Sequence, residues 1–460
     1  MLVTAKPVTA VTALIVLLSV APAPVAAQGD HSPPNTSNVH VLGRLRTDGP
    51  AISYTDIEIE QEPSRPYAYL SRALRPTFGF DIVSLANPAN PTLLYSWRIE
   101  NPELHVGLGA MDAKYFKHQG RYYIIQSFQF APGGPDADLG AIIFDVTGLP
   151  DTSTVRAVAR IRAPDTPGGF HNIFAYKHSD GRALLFTTTN GPHANVYDLG
   201  KAVAGDSAYG FVGRVPWPAT APDMTPYGPL EGYHDFYAAY DPNTGQDKLY
   251  GSGFNGYYIY DVTRPDAPQL AMSIVGVLGL QIAHTLTASP DGRYAVGQTE
   301  YNYSPVRIYD LKPALDGKTR TISQEVGVWT ENWRGISHNN EMRWPYVFVS
   351  AYKDGIQMFD IRDPENPKTV ALFDTYTGPP DAGLDMTFTN PDGVGESVFN
   401  GAFGVDVRNY DGLVVASDMM TGLWVFRVDE FKGWNGKDWN MPSISSVQDW
   451  DAGPKPRVVP

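Results

Sequence analysis

Tyr260-Asp261-Val262-Thr263-Arg264-Pro265-Asp266-Ala267-Pro268 is an aromatic–Asp–aliphatic triplet running into a proline-containing turn. The triplet recurs as Phe80-Asp81-Ile82, Phe144-Asp145-Val146, Tyr197-Asp198-Leu199, Tyr309-Asp310-Leu311 and Phe359-Asp360-Ile361. A seventh copy, Val425-Phe426-Arg427-Val428, has Arg where Asp is expected. Similar turns follow two other copies, at Asn87-Pro88 through Pro91 and Asp363-Pro364 through Pro367. Apolar residues alternating with polar ones predict a strand that buries one face. An apolar run such as Tyr122-Tyr123-Ile124-Ile125 or Tyr346-Val347-Phe348-Val349 precedes each copy, and a further strand such as Leu93 to Arg98 follows most of them. One unit is therefore four antiparallel strands in about 50 residues, the size of a propeller blade.

Seven units fit between residues 38 and 430, but the last has no fourth strand, because the tail from 431 to 460 lacks alternation. Asn38 to Leu45 resembles the outer strands of the other units. Lending it to the last blade closes the ring and removes an exposed sheet edge. The expected fold is all-β, a seven-bladed β-propeller closed by its own N-terminal strand.

Composition narrows the function. With 43% hydrophobic and 12% aromatic residues, the chain has ample material for a packed core. Against 49 Asp and Glu stand 35 Lys and Arg, a net −14 that argues against nucleic acid as a partner. The absence of Cys rules out disulfides, thiolate nucleophiles, zinc–cysteine sites and iron–sulfur clusters. Lys6, an apolar run from Val11 to Leu18 and Val25-Ala26-Ala27 read as a cleaved signal peptide over residues 1–27. Residues 28–37 read as a flexible lead-in, and no later stretch reaches the ~18 apolar residues of a membrane span. The expected mature protein is periplasmic or secreted, with no membrane span.

The repeated Phe/Tyr-Asp-Ile/Val with its downstream Asp-Pro-x-x-Pro resembles the LVIVD-repeat proteins, exported bacterial β-propellers. That resemblance covers about residues 38–430 and implies architecture and export; it implies little about activity, because one fold hosts many functions.

Aligning the units on their Asp places one residue at the start of every innermost strand: Thr55, Met111, His171, His234, His284, His338 and Val405. Residues at one repeat position face a common axis at similar height. Four of the seven are His, from only 10 in the chain. Converging imidazoles can hold Fe, Cu or Zn without a thiolate. Thr55, Met111 and Val405 would leave the other side open to water, oxygen or a small-molecule substrate. Glu231, Glu300 and Glu341 lie near these His in sequence and are candidates to orient a ring N–H. The residue after each column position is expected to bond a neighbouring blade. The arrangement is similar to that of carotenoid-cleaving oxygenases, propellers with non-haem iron on four axial His, although here the four occupy consecutive blades three to six.

An enzyme built on this site would carry out metal-assisted oxidation. The alternative is a non-catalytic scaffold whose loops bind a surface protein or polysaccharide and whose His are structural. His105, His118, His178 and His193 are expected to be solvated. Long connections at 216–232, with Trp217, Met224 and Tyr227, and at 378–400, with Asp381, Asp385 and Asp392, could cover one face. Trp434, Trp439 and Trp450 in the tail could pack on a face. Asp136 to Gly140 is a fragment of a calcium loop, and motifs for ordinary hydrolases and nucleotide enzymes are missing.

Overall fold

The computed structural model describes residues 35–46, 54–73, 77–219, 231–376, 387–389, 395–397, 399–431 and 447–454. Seven sheets, each of at least four strands, form the blades of a propeller. Their innermost strands are Tyr54–Ile59, Gly107–His118, Ile173–Lys177, Tyr233–Asp241, Ala283–Ala288, Asn340–Arg343 and Ala402–Val407. Each of these strands touches the next, and the last touches the first, so the ring is closed. The closure is the expected one: Val39–Leu45 pairs antiparallel with Gly422–Val428, Val39 opposite Val428 and Leu45 opposite Leu423. Blade four departs from the expected four strands, because Thr321–Ile322 adds in parallel to its outer strand Gln269–Val275. The connection at 378–400 contains a small hairpin, Thr387–Thr389 with Gly395–Ser397. No helix among the described residues is long and apolar enough to cross a membrane.

The strands are not half-buried as the alternation suggested. Tyr54–Ile59, Tyr67–Arg72, Leu139–Asp145 and Ala183–Thr187 are buried at every residue, because each blade is sandwiched between two others. Exposure runs along outer strands such as Thr92–Arg98 and Arg156–Arg162. Polar residues between blades must therefore be paired. Asp81, fully buried, binds Arg72 at 2.9 Å and Arg98 at 2.6 Å.

The recurring Asp caps a turn. Asp145, Asp261, Asp310 and Asp360 each accept from the backbone N–H two residues on, at 2.8–3.1 Å, which is how an Asx turn is made. In blade one the corresponding residue is Ser84, whose Oγ accepts from Ala86 N; the third strand bulges just before it, between Ile82 and Val83, as blade four does before Asp261. The Asp81 triplet thus sits three residues early. Asp261→Ala, which also loses the 2.6 Å bond from Gln246 Nε2, should cost about 1 kcal/mol in urea unfolding; an unchanged midpoint would contradict the capping role.

Residues 1–27, most of the lead-in, Met224, Tyr227, Asp381, Asp385, Asp392, Trp434 and Trp439 lie outside the described residues. Trp217 packs on Tyr233 and Tyr258 at ring distances of 5.1 and 4.7 Å. Trp450 is buried against Tyr115 and Phe116, and Gln448 bonds both Ala175 O and Lys177 N, so this part of the tail closes the far end of the inner strands of blades two and three.

Candidate metal centre

Backbone bulges aim the column. The strand register skips His234 in blade four, His284 and Thr285 in blade five, Met111 and Asp112 in blade two, and Thr55 and Asp56 in blade one. A bulge takes a residue out of the ladder and re-aims its side chain. His171 and His338 stand two residues ahead of their inner strands. In blade seven the skipped residue is Phe403, between Ala402 and Gly404. Gly404 N bonds Ser417 Oγ at 3.0 Å, as Asp112 N bonds Ser127 Oγ at 3.0 Å and Asn339 N bonds Ser350 Oγ at 3.2 Å. The seventh column residue is therefore Phe403. Val405 packs into the blade core instead.

The four His form one arc. Ring centroids are 4.6 Å apart for His171–His234, 4.4 Å for His234–His284 and 4.6 Å for His284–His338, and Phe403 follows at 4.0 Å. Three rings are tethered by Nδ1: His171 to Gln129 Oε1 at 2.6 Å, His338 to Phe403 O at 2.6 Å, and His284 to Thr285 Oγ1 at 2.9 Å. Carbonyl oxygens only accept, so His171 and His338 carry their proton on Nδ1 and present an Nε2 lone pair.

Glu300 enters the arc from the loop after Tyr294–Thr299. Its Oε2 is 3.5 Å from His284 Nε2 and 3.8 Å from His234 Nε2, and its Oε1 is 3.8 Å from His338 Nε2. Two donors about 2.1 Å from one ion and about 110–130° apart are separated by about 3.4–3.8 Å. His234, His284 and Glu300 have one donor atom each within 4.8 Å of one another and could hold a metal ion. His284 Nε2 and His234 Nδ1 are buried without a hydrogen-bond partner, a costly state that a bound cation would relieve at His284. The Tyr352 hydroxyl donates to Glu300 Oε1.

Electrostatics favour donors over charges. Burial holds His171 and His338 down at about 4. Burial and the neighbouring rings hold His234 and His284 well below the ordinary imidazole value. With neutral rings, the contacts to Glu300 are not ion pairs. Burial pushes Glu300 up to about 7, opposed by the Tyr352 hydrogen bond, and Asp235 likewise up to about 7, opposed by Thr285.

Beneath the arc lies a ring of carboxylates that ties blades together, as expected for the residue after each column position. Asp56 Oδ2 accepts from Ala113 N at 3.4 Å, Asp112 Oδ2 from Ile173 N at 2.9 Å, and Asn172 Nδ2 donates to His234 O at 2.9 Å. Glu58 and Asp406 repeat the device two residues further along, on Tyr115 N and Ile59 N. Lys114 Nζ sits between Asp56 and Asp112, 2.8 and 2.5 Å from their carboxylates. Burial would lower its pKa, but Asp112, Asp56 and Glu58 hold it well above the ordinary lysine value.

Other candidates lie elsewhere. Glu231 is exposed, and Glu341 pairs with Arg343 at 2.9 Å; Arg343 also reaches Asp406 of blade seven. Neither carboxylate forms a described hydrogen bond to the His arc. His105 and His178 are buried, contrary to expectation: His105 bonds Asp136 at 2.9 Å, and His178 lies between Asp180 at 2.9 Å and Asp247 at 3.2 Å. Asp136, of the calcium-loop fragment, is taken by His105 and Arg162. Sequence reading missed Gln129, Thr285 as a ring partner, Tyr352 and Phe403. Gln129 and Tyr352, like Glu300, stand at or just beyond the end of a second strand, so aligning the units on that strand end would have found them.

The fold and this donor group define a seven-bladed β-propeller with a His/Glu cluster on its axis. Comparison with protein-family models and with curated proteins finds no match for the chain.

Proposed function

We propose that this chain is an exported propeller, periplasmic or secreted after loss of residues 1–27, that binds one transition-metal ion, Fe, Cu or Zn, on His171, His234, His284 and His338. Glu300 supplies an oxygen donor to the same ion, a closer role than orienting a ring. The observation that carries this is the arc of neutral rings in which Nε2 of His234, His284 and His338 lies 3.5–3.8 Å from the Glu300 carboxylate, with the His171 ring, held by Gln129, next to that of His234. Nitrogen and carboxylate donors of this kind suit all three metals. Bound there, the ion would supply Lewis acidity or one-electron chemistry. The chain itself contributes a carboxylate whose basicity burial has raised and the phenol of Tyr352 beside it. Met111, Phe403, Met419 and Ile336 form an apolar wall with Tyr352. We therefore favour metal-assisted oxidation of a small molecule over a protein- or polysaccharide-binding scaffold.

Elemental analysis of the purified mature protein tests the reading. About one equivalent of metal per chain is expected, and His284→Ala should lose it while keeping its circular dichroism spectrum. A wild type that takes up no Fe, Cu or Zn after reconstitution would overturn it and favour the scaffold.

A further inference from the structure

His284 differs from its neighbours in what lies behind it. His171 and His338 each donate Nδ1–H to a neutral carbonyl oxygen. His284 Nδ1 meets Thr285 Oγ1 at 2.9 Å, and Thr285 Oγ1 lies 2.7 Å from Asp235 Oδ2. A hydroxyl has one proton. Asp235 Oδ2 is its closest acceptor, with Asn339 Oδ1 at 3.2 Å the longer alternative. With Asp235 ionised and the hydroxyl proton on its side, an Oγ1 lone pair faces the ring, and Nδ1 is then the protonated nitrogen. Nε2 then keeps its lone pair toward Glu300, where it is buried with no other partner. The local sequence departs from the repeat at this point. In blades one and two the residue after the column is an Asp that accepts a backbone N–H of the next blade. In blade five it is Thr, and Asp235 of blade four bonds that hydroxyl instead.

We infer that Thr285 and Asp235 are positioning residues, a hydroxyl–carboxylate relay that fixes the tautomer of His284 and strengthens its Nε2 as a donor. The inference rests on the metal site proposed above. Each member of the relay comes from an element that the ring closure holds in place: Asp235 from the inner strand of blade four, and His284 and Thr285 from that of blade five. A carboxylate at the end of the relay makes the imidazole more electron-rich than one bound to a carbonyl, so His284 is the strongest donor of the arc.

The test uses the full-length chain with Co(II) as the probe, reading affinity by chelator competition and the ligand field from the visible spectrum. Thr285→Val is expected to weaken Co(II) binding about 10–100-fold and to shift the d–d bands. Thr285→Ser should restore both, and Asp235→Asn should shift the bands in the same direction. Thr287→Val is the control: Thr287, on the same inner strand as Thr285, bonds Asn340 Oδ1 of blade six through its Oγ1 without touching a His, so its loss should leave affinity and spectrum unchanged. If Thr285→Val does not fold, Asp235→Asn and Thr285→Ser decide. Wild-type affinity and bands in Thr285→Val or Asp235→Asn, with His284→Ala losing Co(II), would overturn the relay alone. A wild type that binds no Co(II) and matches His284→Ala would overturn the metal site and the relay with it.

Discussion

Lys114→Met is expected to cost about 3–5 kcal/mol of unfolding free energy, measured by guanidinium denaturation at pH 7.5. Lys114 is the cation against which Asp56 and Asp112 are buried, and it also lowers Glu58. Burial raises Asp112 and Glu58 well above ordinary carboxylates, whereas at Asp56 Lys114 and hydrogen bonds outweigh burial and bring it below. Methionine fills similar space but leaves like charges facing one another. The pH dependence gives the signature. In the variant these carboxyls have folded-state pKa values above their unfolded ones, so the folded state binds the extra protons. Its stability therefore rises as pH falls through the raised values toward the unfolded range near 4. Because Lys114 lowers all three carboxyls in the wild type, and Asp56 below its ordinary value, the variant's folded state gains more protons and the gap to wild type should narrow as pH falls from about 7.5. A gap independent of pH would mean that lost packing, not charge, is responsible.

The second large effect is metal loading. An ion bound only by the folded state stabilises it by about 4 kcal/mol when present at about 1,000 times its Kd. At the proposed site it would join blades three to six, each of which contributes one His. Melting temperature should climb with metal concentration, fall back on adding chelator, and stay flat for His284→Ala and Glu300→Ala. A wild-type melting curve indifferent to both metal and chelator would show that the ring stands without an ion, as in the scaffold reading.

Much of the architecture is legible before any coordinates, because duplication writes one structural unit seven times. The triplets, the turns that follow them and the spare strand at Asn38 to Leu45 already imply seven blades and a ring closed by its ends. Reading went astray wherever a blade departs from the repeat by a few residues. Ser84 takes the place of the turn-capping Asp in blade one, so Phe80-Asp81-Ile82 drew the alignment three residues early. In blade seven the bulge at Phe403 put the column two residues before Val405. Counting along a chain cannot see a bulge, which alters register without altering composition. His105 and His178 stand in loops as expected but are buried rather than solvated, because Asp136 and Asp247, distant in sequence, reach them.

By itself, then, the sequence determined the number of blades, how the ring closes and that His171, His234, His284 and His338 share one axial position, since all three follow from periodicity. Only the tertiary structure decided which side chains reach them. Glu300 swings in from a strand end, Gln129 and Phe403 O hold the outer rings, Thr285 and Asp235 stand behind His284, and Lys114 settles among the carboxylates below. These contacts cross from blade to blade, and a distance between neighbouring blades has no period along the chain.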